Sequence, residues 1–126
     1  MAENPQCSSI LVVEDDPSIR EGIVGLLEVE GYRVYAAENG KKALDLLQRI
    51  ETPCLILLDL MMPVMDGWQF TALKNKDIRI APIPVIVVSA IADSASIEGS
   101  KGHIKKPINV DLLLRLVKAY CGHSAT

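Results

Sequence analysis

Six side chains in this 126-residue sequence have types and settings that suit one piece of chemistry. Glu14, Asp15 and Asp16 directly follow the apolar run Ile10-Leu11-Val12-Val13. Asp59 ends the apolar run after Cys54, Ser89 ends Pro84 to Val88, and Lys106 follows the short run His103 to Lys105. Carboxylates crowded within a few ångströms repel, so one must take up a proton unless a cation sits among them. Hard oxygen ligands suit Mg²⁺, which takes one or two carboxylates and keeps waters for a substrate's oxygens. A metal-bound carboxylate beside an ammonium and a hydroxyl can bind a phosphoryl group and neutralise its charge. The carboxylate can itself be the nucleophile.

These residues work together only if the fold gathers them, and the hydrophobic pattern says how. Ile10 to Val13, Tyr32 to Ala36, Cys54 to Leu58, Pro84 to Val88 and His103 to Lys105 read as strands. Between them lie helical spacings. Asp16-Pro17 is a helix start, with Asp16 as a cap more than a metal ligand, and Ile19, Ile23, Leu26 and Leu27 have helical period before the stop at Gly31. Asn39 caps a second helix carrying Ala43, Leu44, Leu46, Leu47 and Ile50. A third runs from Trp68 to about Asn75 with Phe70 and Leu73, after a loop broken by Pro63 and Asp66-Gly67. Asp93 to Glu98 makes at most a short helix before Gly99, and Asn109 caps a last one with Val110, Leu113, Leu114, Leu116 and Val117. Continuous apolar strands alternating with helices predict an α/β domain, a doubly wound five-stranded parallel sheet covered on both faces. Ligands of such sheets bind at the carboxyl ends of the strands, where all six side chains fall.

Val12-Val13-Glu14-Asp15-Asp16, Leu58-Asp59-Leu60-Met61-Met62-Pro63-Val64-Met65-Asp66-Gly67, Val88-Ser89-Ala90 and Lys106-Pro107 together resemble a response-regulator receiver domain of the CheY-like kind. The resemblance covers about residues 9–120. It implies a flavodoxin/CheY-like strand order, 2-1-3-4-5. It also implies Asp59 as phosphoacceptor and Glu14 and Asp15 as the acidic pair. Asp15 and Asp59 would then bind Mg²⁺ (or Mn²⁺) directly, Glu14 mostly through water, and the Met61 backbone carbonyl would be a further ligand. Ser89 becomes the switch hydroxyl and Lys106 the phosphate-pairing amine, with a cis Lys106–Pro107 bond. The implied partners are a histidine kinase or histidine phosphotransfer protein and a downstream effector, either a separate protein or another domain of a longer chain.

Two features depart from the family's pattern. His103 stands where the family has a Tyr or Phe that swings inward on phosphorylation. It is either a half-exposed histidine at a strand edge or a working switch. Only sixteen residues separate Ser89 from Lys106. The fourth helix is therefore expected to be shortened by about one turn or to be largely a loop. Met61 and Ile91 are expected to flank the phosphoryl site with side chains that cannot orient an attacking water, which predicts a long-lived phosphorylated form.

Composition bounds the rest. The length is one domain's worth, residues 1–126, with 1–8 and 122–126 read as frayed tails. Apolar residues are 49% and charged residues 23%, a globular composition. No apolar run approaches the ~20 residues of a membrane span, and no signal peptide opens the chain. A net charge of −3 argues against general nucleic-acid binding. Residues 1–66 hold 12 acids against 5 bases, so the carboxylates collect in the half that carries the acidic pair. Three widely spaced cysteines, Cys7, Cys54 and Cys121, indicate reduced thiols in a cytoplasmic protein and no disulfide framework. A self-phosphorylating receiver, not an enzyme acting on other substrates, is the expected function. The alternative is a receiver-like interaction module that signals without phosphorylation. A phosphatase with an aspartyl nucleophile is a weaker rival, because Met61 stands where such enzymes place a second acid.

Overall fold

The computed structural model describes residues 9–90 and 99–121. Five strands, β1 (Ser9–Val13), β2 (Arg33–Ala37), β3 (Leu55–Asp59), β4 (Val85–Ser89) and β5 (Gly102–Lys105), form one parallel sheet in the order β2-β1-β3-β4-β5. Helices α1 (Pro17–Val29), α2 (Gly40–Leu47), α3 (Gly67–Asn75) and α4 (Val110–Cys121) lie between and after them. The fold class and strand order are those the sequence predicts. The expected short fourth helix, Ile91 and the two tails lie outside the described residues.

The strands are apolar without alternation because both faces of the sheet are buried. Leu11, Val13, Ile56, Leu58, Val85 and Val87 pack on one side with Ala43, Leu47 and Phe70 of α2 and α3. Ile10, Val12, Leu55, Leu57, Ile86 and Val88 pack on the other with Ile23 and Leu27 of α1 and Leu113 and Val117 of α4. Each large side chain buried this way stabilises the fold by about 1.5–3 kcal/mol.

Local signals fix the helix ends. The Asp16 carboxylate accepts from the Ser18 and Ile19 N–H groups at 2.8 and 3.2 Å, so it is the α1 cap. Asn39 and Asn109 cap α2 and α4 in the same manner. Asp66 and Gln69 form a reciprocal capping box on α3. Gly31, at φ 98°, takes the left-handed position that ends α1.

The structure corrects the sequence reading in three places. Strands β3 and β4 run one residue further than their apolar runs, because Asp59 and Ser89 still pair with Val88 and Lys105. In α3 the buried side chains are Phe70, Thr71 and Lys74, while Leu73 is 43% exposed. The Lys74 ammonium donates to the Ala81 carbonyl at 2.7 Å, so its stem fills an apolar position while its charged end pins the loop before β4. Cys54 and Cys121 are not free thiols: they form a disulfide, with Cα atoms 5.8 Å apart. Cys54 directly precedes β3, and Cys121 continues the buried α4 stripe of Leu113 and Val117 that lies against that strand.

Candidate functional site

The carboxyl edge of the sheet gathers the expected residues. Glu14, Asp15 and Asp59 present carboxylate oxygens within 4.8 Å of one another. Lys106 enters the same cluster, its Nζ 2.8 Å from Glu14 Oε1 and 3.6 Å from Asp59 Oδ2. Ser89 is fully buried at the end of β4, and its carbonyl accepts from the Lys106 N–H at 2.9 Å. The cis Lys106–Pro107 bond is present as the resemblance implied. Met61 stands two residues past Asp59, and its N–H donates to Asp59 Oδ1 at 3.3 Å. His103 sits in β5 opposite Val87 and is exposed.

Each position follows from local folding. Tight pairing of β1 to β2 and β3 carries Glu14 to the edge, where its N–H donates to the Ala37 carbonyl. The Asp16 N–H bonds back to the Glu14 carboxylate at 3.1 Å. Arg20 of α1 donates to the Glu14 carbonyl at 2.8 Å and holds the acidic turn against its helix. Sequence reasoning passed over Arg20; its place one turn into the capped helix was the available signal. The loop after Asp59 is closed by Gly67, whose N–H donates to the Leu60 carbonyl. A Cβ at Gly67 would lie 2.8–2.9 Å from Leu60 and the Asp59 carbonyl, so only glycine lets α3 approach this closely. Within the same loop, Val64 has φ 69°, a strained conformation for a β-branched residue.

The electrostatics are those of charges confined away from water. Glu14 is 2% and Asp59 4% exposed. Burial, helped by the Glu14 charge and a hydrogen bond with Asp15, pushes the Asp59 carboxyl up to about 7, against the opposing pull of Lys106 and the Met61 N–H. Burial alone would lower the Lys106 ammonium. The Glu14 hydrogen bond and the Asp59, Glu14 and Asp15 charges outweigh burial and hold it above the ordinary lysine value. Three hard-oxygen donors, one of them kept partly protonated by burial and by the neighbouring Glu14 charge, fit a divalent cation, which would offset both.

A five-stranded 2-1-3-4-5 sheet with this acid–lysine edge defines a doubly wound receiver-type domain. Residues 10–118 match the family described as response regulator receiver domain, and the chain belongs to that family. Among curated relatives, the chain is 34% identical over 119 residues to the polar-differentiation response regulator DivK of Brucella anthropi, covering 90% of this chain and 96% of DivK. It is 32% identical over 115 residues to protein PilH of Pseudomonas aeruginosa, covering 87% of this chain and 94% of PilH. Among solved structures, it is similar to the signal receiver domain of a histidine kinase from Syntrophus aciditrophicus (TM-score 0.82, 31% identity, 94% and 97% coverage). It is also similar to the receiver domain of sensor histidine kinase PA1611 from Pseudomonas aeruginosa, with magnesium coordinated in its active-site cleft (TM-score 0.83, 28% identity, 93% and 99% coverage). The family is one of phosphoacceptors in two-component signalling. Among the described residues, no helix is long and apolar enough to cross a membrane.

Proposed function

We propose that this chain accepts a phosphoryl group on Asp59 from a phosphohistidine donor and signals by a change of surface. The observation that carries the reading is the single cluster of Glu14, Asp15, Asp59 and Lys106. An Asp59 carboxylate oxygen attacks phosphorus, the new O–P bond forming as the donor's P–N bond breaks. The proton that Asp59 holds near neutrality must leave before the oxygen can attack. Lys106 then pairs with the phosphoryl oxygens, exchanging the Glu14 contact for a fuller negative charge, and the Ser89 hydroxyl donates to one of them. Mg²⁺ (or Mn²⁺) would be held by Asp15, Asp59 and the Met61 carbonyl, with Glu14 through water, and would supply charge neutralisation at the transferring group.

Movement of Ser89 and Lys106 toward the phosphoryl group biases the 89–107 region between two states. His103 is the proposed second switch residue. Its exposure leaves the ring free to change position, and this is the part of the switch that a His103→Ala variant addresses. The donor is a histidine kinase or histidine phosphotransfer protein. An apolar groove of about 420 Å³ between α1 and α4, lined by Ile19, Ile23, Leu26, Pro107 and Ile108, borders Lys106 and suits a donor helix. The output goes to a protein effector, and the placement is cytoplasmic.

The test is incubation with acetyl phosphate and Mg²⁺ followed by intact-mass measurement. The expected result is a gain of one phosphoryl group that is absent in Asp59→Asn, absent on chelation and at least tenfold slower in Lys106→Ala. Equal uptake by Asp59→Asn would overturn the assignment. No uptake by the folded wild type would favour the module that signals without phosphorylation.

A further inference from the structure

The Cys54–Cys121 disulfide lies at the opposite end of β3 from Asp59 and takes no part in the site chemistry. It joins residues 67 apart in sequence, tying the start of the central strand to the last turn of α4. Neither element needs it to find its place. Strand β3 is paired on both sides, to β1 and β4, and α4 is seated by fully buried Leu113 and Val117. The fold is therefore expected to survive with the bond open. The two cysteines also differ in exposure. Cys54 is half-buried, its sulfur 3.1 Å from the Ser9 carbonyl, while Cys121 is buried at 4% exposure. A folded reduced form, one more exposed cysteine and one sheltered cysteine suit a reversible dithiol pair. In a reducing compartment, disulfides that do form are mostly transient or redox-sensing.

We propose that Cys54 and Cys121 form a reversible redox clasp, a modification site whose co-substrate is a low-molecular-weight disulfide. In the first step the Cys54 thiolate attacks that disulfide, breaking its S–S bond, forming a mixed disulfide and releasing one small thiol. In the second the Cys121 thiolate attacks the Cys54 sulfur and expels the second small thiol. Two protein thiols are oxidised, one small disulfide is reduced to two thiols, and the two cysteine protons end on the departing sulfurs. Closing the clasp fixes the last turn of α4 against the sheet; opening it frees that turn while Leu113 and Val117 keep the rest of the helix in place. The inference rests on the cytoplasmic placement proposed above for its biological sense, but its chemistry is independent of phosphorylation at Asp59.

The experiment uses the full chain with Cys7→Ser, which removes the third thiol. The protein is equilibrated in buffers of reduced and oxidised glutathione, quenched, denatured and alkylated with a maleimide, and weighed. The expected result is two adducts in reduced glutathione, none in oxidised glutathione, and a reversible passage between them. The thermal midpoint should fall by about 10 °C or more on reduction, because a loop of this length constrains the unfolded chain strongly. Amide exchange at Lys118 to Cys121 should rise at least tenfold, with Leu57 and Leu58 unchanged. Cys54→Ser and Cys121→Ser should keep the thermal midpoint of the reduced form in either buffer, with Cys121→Ser stopping at the mixed disulfide on Cys54 in oxidised glutathione. If either fails to fold, the unsubstituted pair read in the same buffers decides. Two adducts in every buffer would overturn the clasp. No adducts even in a hundredfold excess of reduced glutathione would show a permanent staple and overturn its reversibility. Both readouts stand whether or not Asp59 takes up phosphate.

Discussion

The two ends of the sheet are built on opposite terms. At the carboxyl end, Glu14, Asp59 and Ser89 are buried, the carboxylates repel one another, and Val64 is held at φ 69° in the loop beside them. At the amino end the buried charge and the sulfurs are matched, although the Thr71 hydroxyl one turn before Lys74 is buried without a hydrogen-bond partner among the described residues. Lys74, 3% exposed, reaches the Ala81 carbonyl, Arg79 donates to the Leu47 carbonyl, and Cys54 is bonded to Cys121. One strand, β3, spans both regimes in five residues. The lesson is a division of labour. Unfavourable electrostatics are tolerated where a phosphoryl group and a cation must be attracted, and the opposite end holds the sheet together so that the strain does not unfold it.

This contrast can be broken by the signs of stability changes. The largest expected effect is at the amino end. Lys74→Ala should cost about 2–4 kcal/mol, because it empties a buried site and leaves the Ala81 carbonyl without its donor. Urea unfolding measures it; a loss under about 0.5 kcal/mol would make Lys74 an ordinary surface lysine. At the carboxyl end Asp59→Asn should do the reverse and stabilise the cation-free protein at pH 8 by about 1–3 kcal/mol, since it removes one of two buried like charges. Destabilisation of similar size would mean that the acid cluster is a structural ion-pair network.

Acidity sharpens the same comparison. The folded-state Asp59 pKa of about 7 lies above the ordinary 3.8, so across that window the folded protein holds a proton the unfolded chain has lost. Stability should therefore fall as pH rises from about 4 to about 7 and the contribution should level off above that. Asp59→Asn should flatten this component, measured as the difference in denaturation midpoint between variant and wild type across the range. An unchanged difference would remove Asp59 as its source. The smallest expected effect is at Val64. Val64→Gly should gain about 1 kcal/mol by relieving the left-handed conformation. A loss there would place the loop's strain elsewhere.

Much of the site was legible because polarity changes abruptly at strand ends. Glu14 and Asp15, Asp59, and Ser89 follow short apolar runs, Lys106 follows the brief strand His103 to Lys105, and parallel topology sends those positions to one edge. The caps at Asp16, Asn39 and Asn109 were legible for a similar reason: their side chains act within three residues of themselves. What escaped depends on contacts between distant segments. Cys54 and Cys121 meet only because α4 returns across β3; the helical spacing Leu113, Val117, Cys121 that puts Cys121 on the core face was an unread signal. Lys74 was hidden by its charge, because a period read only from apolar residues assigns the position to Leu73. Arg20 acts on backbone carbonyls, so its residue type named no partner and only its place one turn into the capped helix hinted at the contact.

The central claim is that the strained carboxyl edge exists to place one reactive oxygen at residue 59. The most direct measurement is fragmentation mass spectrometry of the protein after incubation with acetyl phosphate and Mg²⁺, with peptides separated under conditions that preserve acyl phosphates. The expected result is a phosphoryl group on the side chain of Asp59 alone. Modification at Glu14, Asp15 or a serine with Asp59 bare would contradict it.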